Sequence, residues 1–214
     1  FFAPSSDEIK WDPAGVAGAN RFVLRLWDLM EEVGPFVARV SGKPGAVSEP
    51  FKKIRRKTHL LIRRMTDACE GDLAFNTVIS TMMELLNLFE EVQPNPETDD
   101  ELRVLRETVE SIAKVIAPLA PFLGEEFWEA LGGDASVFLS GWPEVDLEAL
   151  KLDEFEIVIQ VNGKLRSKIT VPASSTDDQI RAAALADEPL LKALEGKTPK
   201  KVIVVKGRLV NVVV

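Results

Sequence analysis

The chain has 214 residues, a formal charge of −8 and 46% hydrophobic residues, the composition of an ordinary globular protein of one or two domains. One cysteine, Cys69, excludes an internal disulfide and a cysteine-cluster zinc site, and one histidine, His59, argues against histidine-based metal or triad chemistry. No apolar run approaches the roughly 20 residues needed to span a bilayer, no secretory leader pattern opens the chain, and the lone thiol fits a reducing cytoplasm.

The opening FFAPSS lacks an initiator Met and reads as an internal junction, so the chain is expected to be a piece of a longer protein. Apolar residues at helical spacing (Val16, Ala19, Phe22, Val23, Leu26, Trp27, Met30) predict a helix over 15–33, stopped by Gly34-Pro35. Residues 35–50, with proline at both ends, read as a connector. A second helix is expected over 51–69. A third, over 73–92, carries the stripe Phe75, Val78, Ile79, Met82, Met83, Leu86 and Phe89, which is assigned to core packing. A fourth starts near Thr98, where Thr98 and Glu101 have capping-box spacing, and runs to Ala117 before Pro118 and Pro121 break the path. A last helix over 122–131 ends at Gly132-Gly133. Long amphipathic helices with short connections predict an up-and-down bundle.

Past Pro143 the pattern changes. FEIVIQVNGKLRSKITV and KVIVVKGRLVNVVV each have two β-rich runs broken by a tight turn, Asn162-Gly163 and Lys206-Gly207. Between them lie two short helices, the first capped by Ser175 or Thr176 and the second carrying Pro189 in its first turn. The expected fold is mainly α: a helical bundle over 1–143, a linker over 144–153, and an α+β domain over 154–214 of four strands with two helices on one face. Charge supports the division. From Asp153 onward there are ten Lys and Arg against eight Asp and Glu, whereas the rest has sixteen against twenty-six.

No catalytic constellation is found. Glu125 and Glu126 are adjacent on a helix and diverge by about 100°, and GKPGAVS lacks the order of a phosphate loop. Positive charge is the stronger signal. Lys52 to Arg64 holds seven Lys and Arg and no acid. On a helix Lys52, Arg56, His59 and Arg63 form one stripe, flanked by Lys53, Lys57 and Arg64 on one side and Arg55 on the other. In the first hairpin, strict alternation puts Lys164, Arg166 and Lys168 on one face and Leu165, Ser167, Ile169 and Val171 on the other. Two basic stripes on an acidic chain point to a phosphate backbone. The rival reading is a structural module whose basic helix packs on protein.

At this point the chain resembles the bacterial-type leucyl-tRNA synthetase family, of the class I aminoacyl-tRNA synthetases, over nearly all its length. The resemblance rests on four stretches. They are FFAPSSDEIKWDPAGVAGANRFVLRLW, HLLIRRMTDACEGDLAFNTVISTMMELLN, IAPLAPFLGEEFWEALGGDASVFLSGWP, and the pair IQVNGKLRSKI and GKTPKKVIVVKGRLVNVVV. Two departures stand out: Phe122 replaces a usual His, and Leu60-Leu61 replaces a usual Lys-Thr. The resemblance implies an anticodon-binding-type bundle followed by a domain that reaches the tRNA elbow. The parent enzyme would ligate leucine to its tRNA with ATP and magnesium, while this portion holds no catalytic or editing domain and needs no cofactor. Its expected partners are the body and elbow of leucine tRNA and the enzyme's own catalytic core, in a cytoplasmic monomer without membrane association. The expected tRNA contacts are Lys52, Arg56, Arg63 and Arg64 from the bundle and Lys164, Arg166, Lys168, Lys206 and Arg208 from the last domain, with Arg21 and Arg25 in addition.

Overall fold

The computed structural model describes residues 13–71, 73–151, 154–194, 199–205 and 208–213. They divide into two compact units, Phe1–Leu150 and Lys151–Val214.

The first unit is helical: α1 (Pro13–Val37), α2 (Glu49–Glu70), α3 (Phe75–Val92), α4 (Asp99–Ile116) and α5 (Pro121–Ala130), then a 3₁₀ turn, Val137–Leu139. Helices α1 and α2 each pack against both α3 and α4, and α5 packs on α4 and α1. The shared core includes Leu26, Ile54, Leu61, Met65, Val78, Met82, Leu85, Val104, Val109, Ile112 and Phe127. Each side chain of that size gains about 1.5–3 kcal/mol on leaving water, which offsets the entropy of ordering the connections. A polar contact crosses this core: the Thr58 and Thr108 hydroxyls meet at 2.9 Å, one donating to the other, while the second hydroxyl donates its proton to the carbonyl four residues back on its own helix.

One helix end differs from expectation, and one cap reaches further than expected. Helix α1 does not stop at Gly34-Pro35 but continues to Val37, with Pro35 inside its last turn. Val37 is fully buried there, and the Arg106 guanidinium donates to the Ala38 carbonyl just beyond it at 3.0 Å. Tertiary capping overrides the local stop. At the start of α4, Thr98 Oγ1 accepts from the Glu101 amide as a cap should. The Glu101 carboxylate reaches further than a capping box requires, accepting from the Glu97 amide and the Ser48 hydroxyl, and so pins the connector to α4.

Helices α4 and α5 approach closely at Gly124. A Cβ there would lie 2.6 Å from the Ala117 Cβ and 2.7 Å from its Cα. Gly124→Ala is therefore expected to force the helices apart and lower stability by about 1–3 kcal/mol, readable as a fall in thermal midpoint. An unchanged midpoint would mean that the α4–α5 corner yields freely.

The second unit has β1 (Glu154–Val161), β2 (Lys164–Pro172), α6 (Asp177–Leu185), α7 (Glu188–Leu194), β3 (Lys201–Val205) and β4 (Leu209–Val213). The sheet order is β2-β1-β4-β3, with β1 and β4 parallel and both hairpins antiparallel. Asn162 and Gly163 both have positive φ, as the two-residue turn demands. The second turn, Lys206-Gly207, lies outside the described residues. Thr176 caps α6 in a complete capping box with Gln179. Ile157, Ile159, Val161, Val171, Val210 and Val212 face Ile180, Ala184, Leu190 and Leu194 of the two helices, and this interface is the unit's core.

Candidate nucleic-acid interface

Helix α2 turns its apolar residues inward, with Ile54, Leu61, Ile62 and Met65 buried, so its cations lie on the opposite side as expected. That side is not left open. Residues 142–150 run back along it as a strap, in the opposite direction to the helix. The Trp142 indole Nε1 donates to Thr66 Oγ1 at 2.8 Å. The Asp146 amide donates to His59 Nδ1 at 3.2 Å, and Arg56 Nε donates to the Leu150 carbonyl at 3.3 Å. Residues 144–150, read from the sequence as the start of a linker, are thus tied to α2 and belong to the first unit.

Beneath the strap sits a charged cluster. Arg55 bridges Glu107 of α4 at 2.8 Å and Asp146 of the strap at 2.7 Å. His59 is 2% exposed, and its Nε2 stands 3.2 Å from Glu107 Oε1. Because the Asp146 amide occupies Nδ1, the proton of the neutral imidazole belongs on Nε2, facing that carboxylate. Burial works to raise Glu107, but neighbouring His59 and Arg55 outweigh it and hold the carboxyl below the usual range. Asp146 is likewise desolvated, yet held low by Arg55 and by main-chain amides. The cluster is an internal ion network, and its geometry serves to hold the strap.

The predicted contacts therefore fall into distinct settings. Lys52 is exposed and pairs with Glu49 at 2.7 Å; Arg56 is half-buried under the strap. Arg64 is half-buried and donates to the Thr81 hydroxyl. Arg63 is exposed with no side-chain partner among the described residues. On α1, Arg21 is exposed in the same way, whereas Arg25 is held by Glu90 at 2.8 Å and by Asn87 Oδ1 at 2.8 Å. Surface pairs of the Lys52–Glu49 kind are weak, about 0.2–1 kcal/mol.

In the second unit the expected stripe is corrected by the strand register. Ile159 pairs with Ser167, but Gln160 pairs with Leu165, so a bulge at Arg166 shifts the alternation. Lys168 stands opposite Val158 on the outer face, while Lys164 stands opposite Val161, whose side chain points to the core. Lys164, Arg166 and Lys168 are all exposed but do not share one face in simple alternation. Lys168 pairs with Glu156 at 2.7 Å; Arg208 is exposed; Lys206 lies outside the described residues. The outer face is more apolar than the sequence suggested. Across the strands, Lys168, Val158, Leu209 and Val205 make one row and Leu165, Gln160, Asn211 and Ile203 the next, with Leu165 60% exposed. A strict period of two cannot reveal the bulge, because only the pairing partner strand fixes it.

Among the described residues no group of three or more His, Cys, Asp and Glu is placed to hold a metal ion, and no helix is long and apolar enough to cross a membrane. Glu125 accepts hydrogen bonds from Ser136 and Val137 and so fixes the 3₁₀ turn.

The chain belongs to the family of anticodon-binding domains of tRNA ligases, whose model matches residues 52–182. Over its whole length it is similar to the leucine–tRNA ligases of Thermotoga maritima, at 39% identity, and Thiobacillus denitrificans, at 44%. It spans about a quarter of those proteins, 26% and 24% respectively. Its fold is shared with a chain in the crystal structure of the Agrobacterium radiobacter K84 LeuRS–tRNA–LeuAMS ternary complex. The TM-score is 0.76 at 24% identity, over 96% of this chain and 26% of that one.

Proposed function

We propose that this chain is the tRNA-docking C-terminal portion of a leucine–tRNA ligase. The observation that carries the reading is its end-to-end similarity to those ligases, including the anticodon-binding match over 52–182. The parent enzyme joins leucine to its tRNA with ATP and magnesium in the cytoplasm as a monomer. The catalytic and editing work belongs to other parts of that enzyme, and this portion holds the tRNA body and elbow. Contacts from exposed Lys and Arg to phosphates fix the orientation of the tRNA and carry little sequence information. A-form RNA is recognised mainly through its shape and backbone.

The second reading, a basic helix that packs on protein, has a specific observation in its favour: Arg55, Arg56 and His59 are already engaged by the strap and α4. The two readings divide the helix between them. Its middle serves packing, and its ends, at Lys52 and Arg63, remain for phosphates.

The experiment is binding of the chain to a leucine tRNA transcript, with and without the long variable arm, across a salt series. The expected result is a linear fall of log affinity with log salt and weaker binding without the arm. Salt-independent binding, or none at low salt, would turn the reading over to the protein-packing alternative. The chain alone is expected to show no leucine-dependent ATP–pyrophosphate exchange.

A further inference from the structure

The strap leaves one end of the basic stripe uncovered, and what lies there is unlike the rest of the helix. Trp142 is 44% exposed. Its indole N–H is already satisfied by Thr66 Oγ1 at 2.8 Å, so the ring is held in one orientation against α2. Thr66 is three residues beyond Arg63, which puts the two on the same helix face with Cβ atoms about 5–6 Å apart. Arg63 is exposed and partnerless among the described residues, and Asp67, one turn further on, makes no ion pair with it. A fixed, half-open aromatic ring beside an unneutralised guanidinium is the pairing that single-stranded RNA sites use: the ring takes a base, the cation takes the adjoining phosphate.

We propose that Trp142 and Arg63 form one RNA contact, in which the indole is a stacking platform for an unstacked nucleobase of leucine tRNA and Arg63 binds the neighbouring phosphate. This rests on the tRNA-docking reading above and extends it from phosphate attraction to a defined base contact. The flanking geometry supports it. The strap neutralises Arg55 and covers Arg56 and His59, so RNA meets α2 where the strap begins. Stacking tolerates any base, which suits a contact that positions rather than reads.

The test uses the chain labelled with 5-fluorotryptophan. It holds four Trp residues, and Trp142→Phe assigns the signal of interest. Leucine tRNA and a short single-stranded RNA are titrated in parallel. The Trp142 resonance is expected to shift on binding. Trp142→Ala should weaken tRNA binding about tenfold with an unchanged salt slope, and Trp142→Phe, which keeps a ring, by less than about threefold. Arg63→Gln should reduce the salt slope by about one. A Trp142 signal unmoved at saturating tRNA overturns the proposal and returns the patch to protein contact. So does a Phe variant as weak as the Ala variant, since the indole N–H bond to Thr66 would then be what matters. Should the wild-type chain fail to bind tRNA, the docking reading falls. The platform is then judged by the short RNA alone, and no shift there overturns it as well.

Discussion

Replacing Arg55 by Met should lower the stability of the first unit by about 3 kcal/mol, because it strips the main counter-charge from two carboxylates it now bridges. Arg55 is only 16% exposed at its side chain, so solvent screens this pair less than a surface one. The loss should also depend on pH, and its sign follows from the carboxylates. Glu107 and Asp146 are held below their usual values, despite burial, by Arg55 and its neighbours. A depressed carboxyl contributes stability that is present above its unfolded value, about 4, and is lost as pH falls through the folded value. The gap between wild type and Arg55→Met should thus be widest near neutrality and shrink below about pH 4. Urea unfolding at the two pH values reads it, and an equal gap at both would refute an ionic role for Arg55. Adding Glu107→Gln to Arg55→Met should recover part of the loss, since one of the two stranded charges is then gone.

Arg106→Met should cost a comparable amount, about 2–4 kcal/mol, for a different reason. The guanidinium donates to the carbonyls of Ala38 at 3.0 Å and Leu131 at 2.8 Å, and its Nε reaches Glu110 at 3.3 Å. One side chain of α4 therefore satisfies main-chain acceptors at the C-terminal ends of both α1 and α5. Orphaned carbonyls at helix ends are costly, and positive charge there also opposes the helix dipole favourably. Arg106→Lys should retain less than half of the stabilisation, because an ammonium lacks the planar fork. Hydrogen exchange separates this from general loosening: amides in the last turns of α1 and α5 should exchange faster before those in the middle of α2 do. Uniform acceleration across all helices would sink the idea.

Both residues show why the sequence was informative about elements and less so about sites. The helical period, Thr98 as one cap, Ser175 or Thr176 as another and Asn162-Gly163 as a turn are local signals, and each is realised, although α1 runs four residues past its expected end and it is Thr176 that caps α6. The division of labour along α2 is not local. Seven cations in thirteen residues look alike on a helical wheel, and only the return of residues 142–150 distinguishes half-buried Arg55 and Arg56 from exposed Arg63. The strap itself carried a signal in retrospect. Glu144, Asp146 and Glu148 make it acidic, as suits a segment lying on a basic helix. Arg106 gave none, since an arginine amid a charged helix reads as a solvated residue until the two helix ends arrive beside it. The bulge at Arg166 was hidden for a similar reason: register is a property of two strands.

The order of strands in the second unit bears on how it is made. Strand β4, the last in the chain among the described strands, is inserted between β1 and β3 and supplies the parallel pairing that joins the two hairpins. During synthesis on the ribosome the first hairpin therefore emerges with the inner edge of β1 unpaired, and it stays so until residues 209–213 have cleared the exit tunnel. An unpaired edge rich in Ile and Val is prone to pair with the wrong chain. The nascent unit has to be shielded or quickly completed, and a ribosome that stalls shortly before residue 209 would hold one hairpin and a lone β3, each with a strand edge that β4 alone can cover.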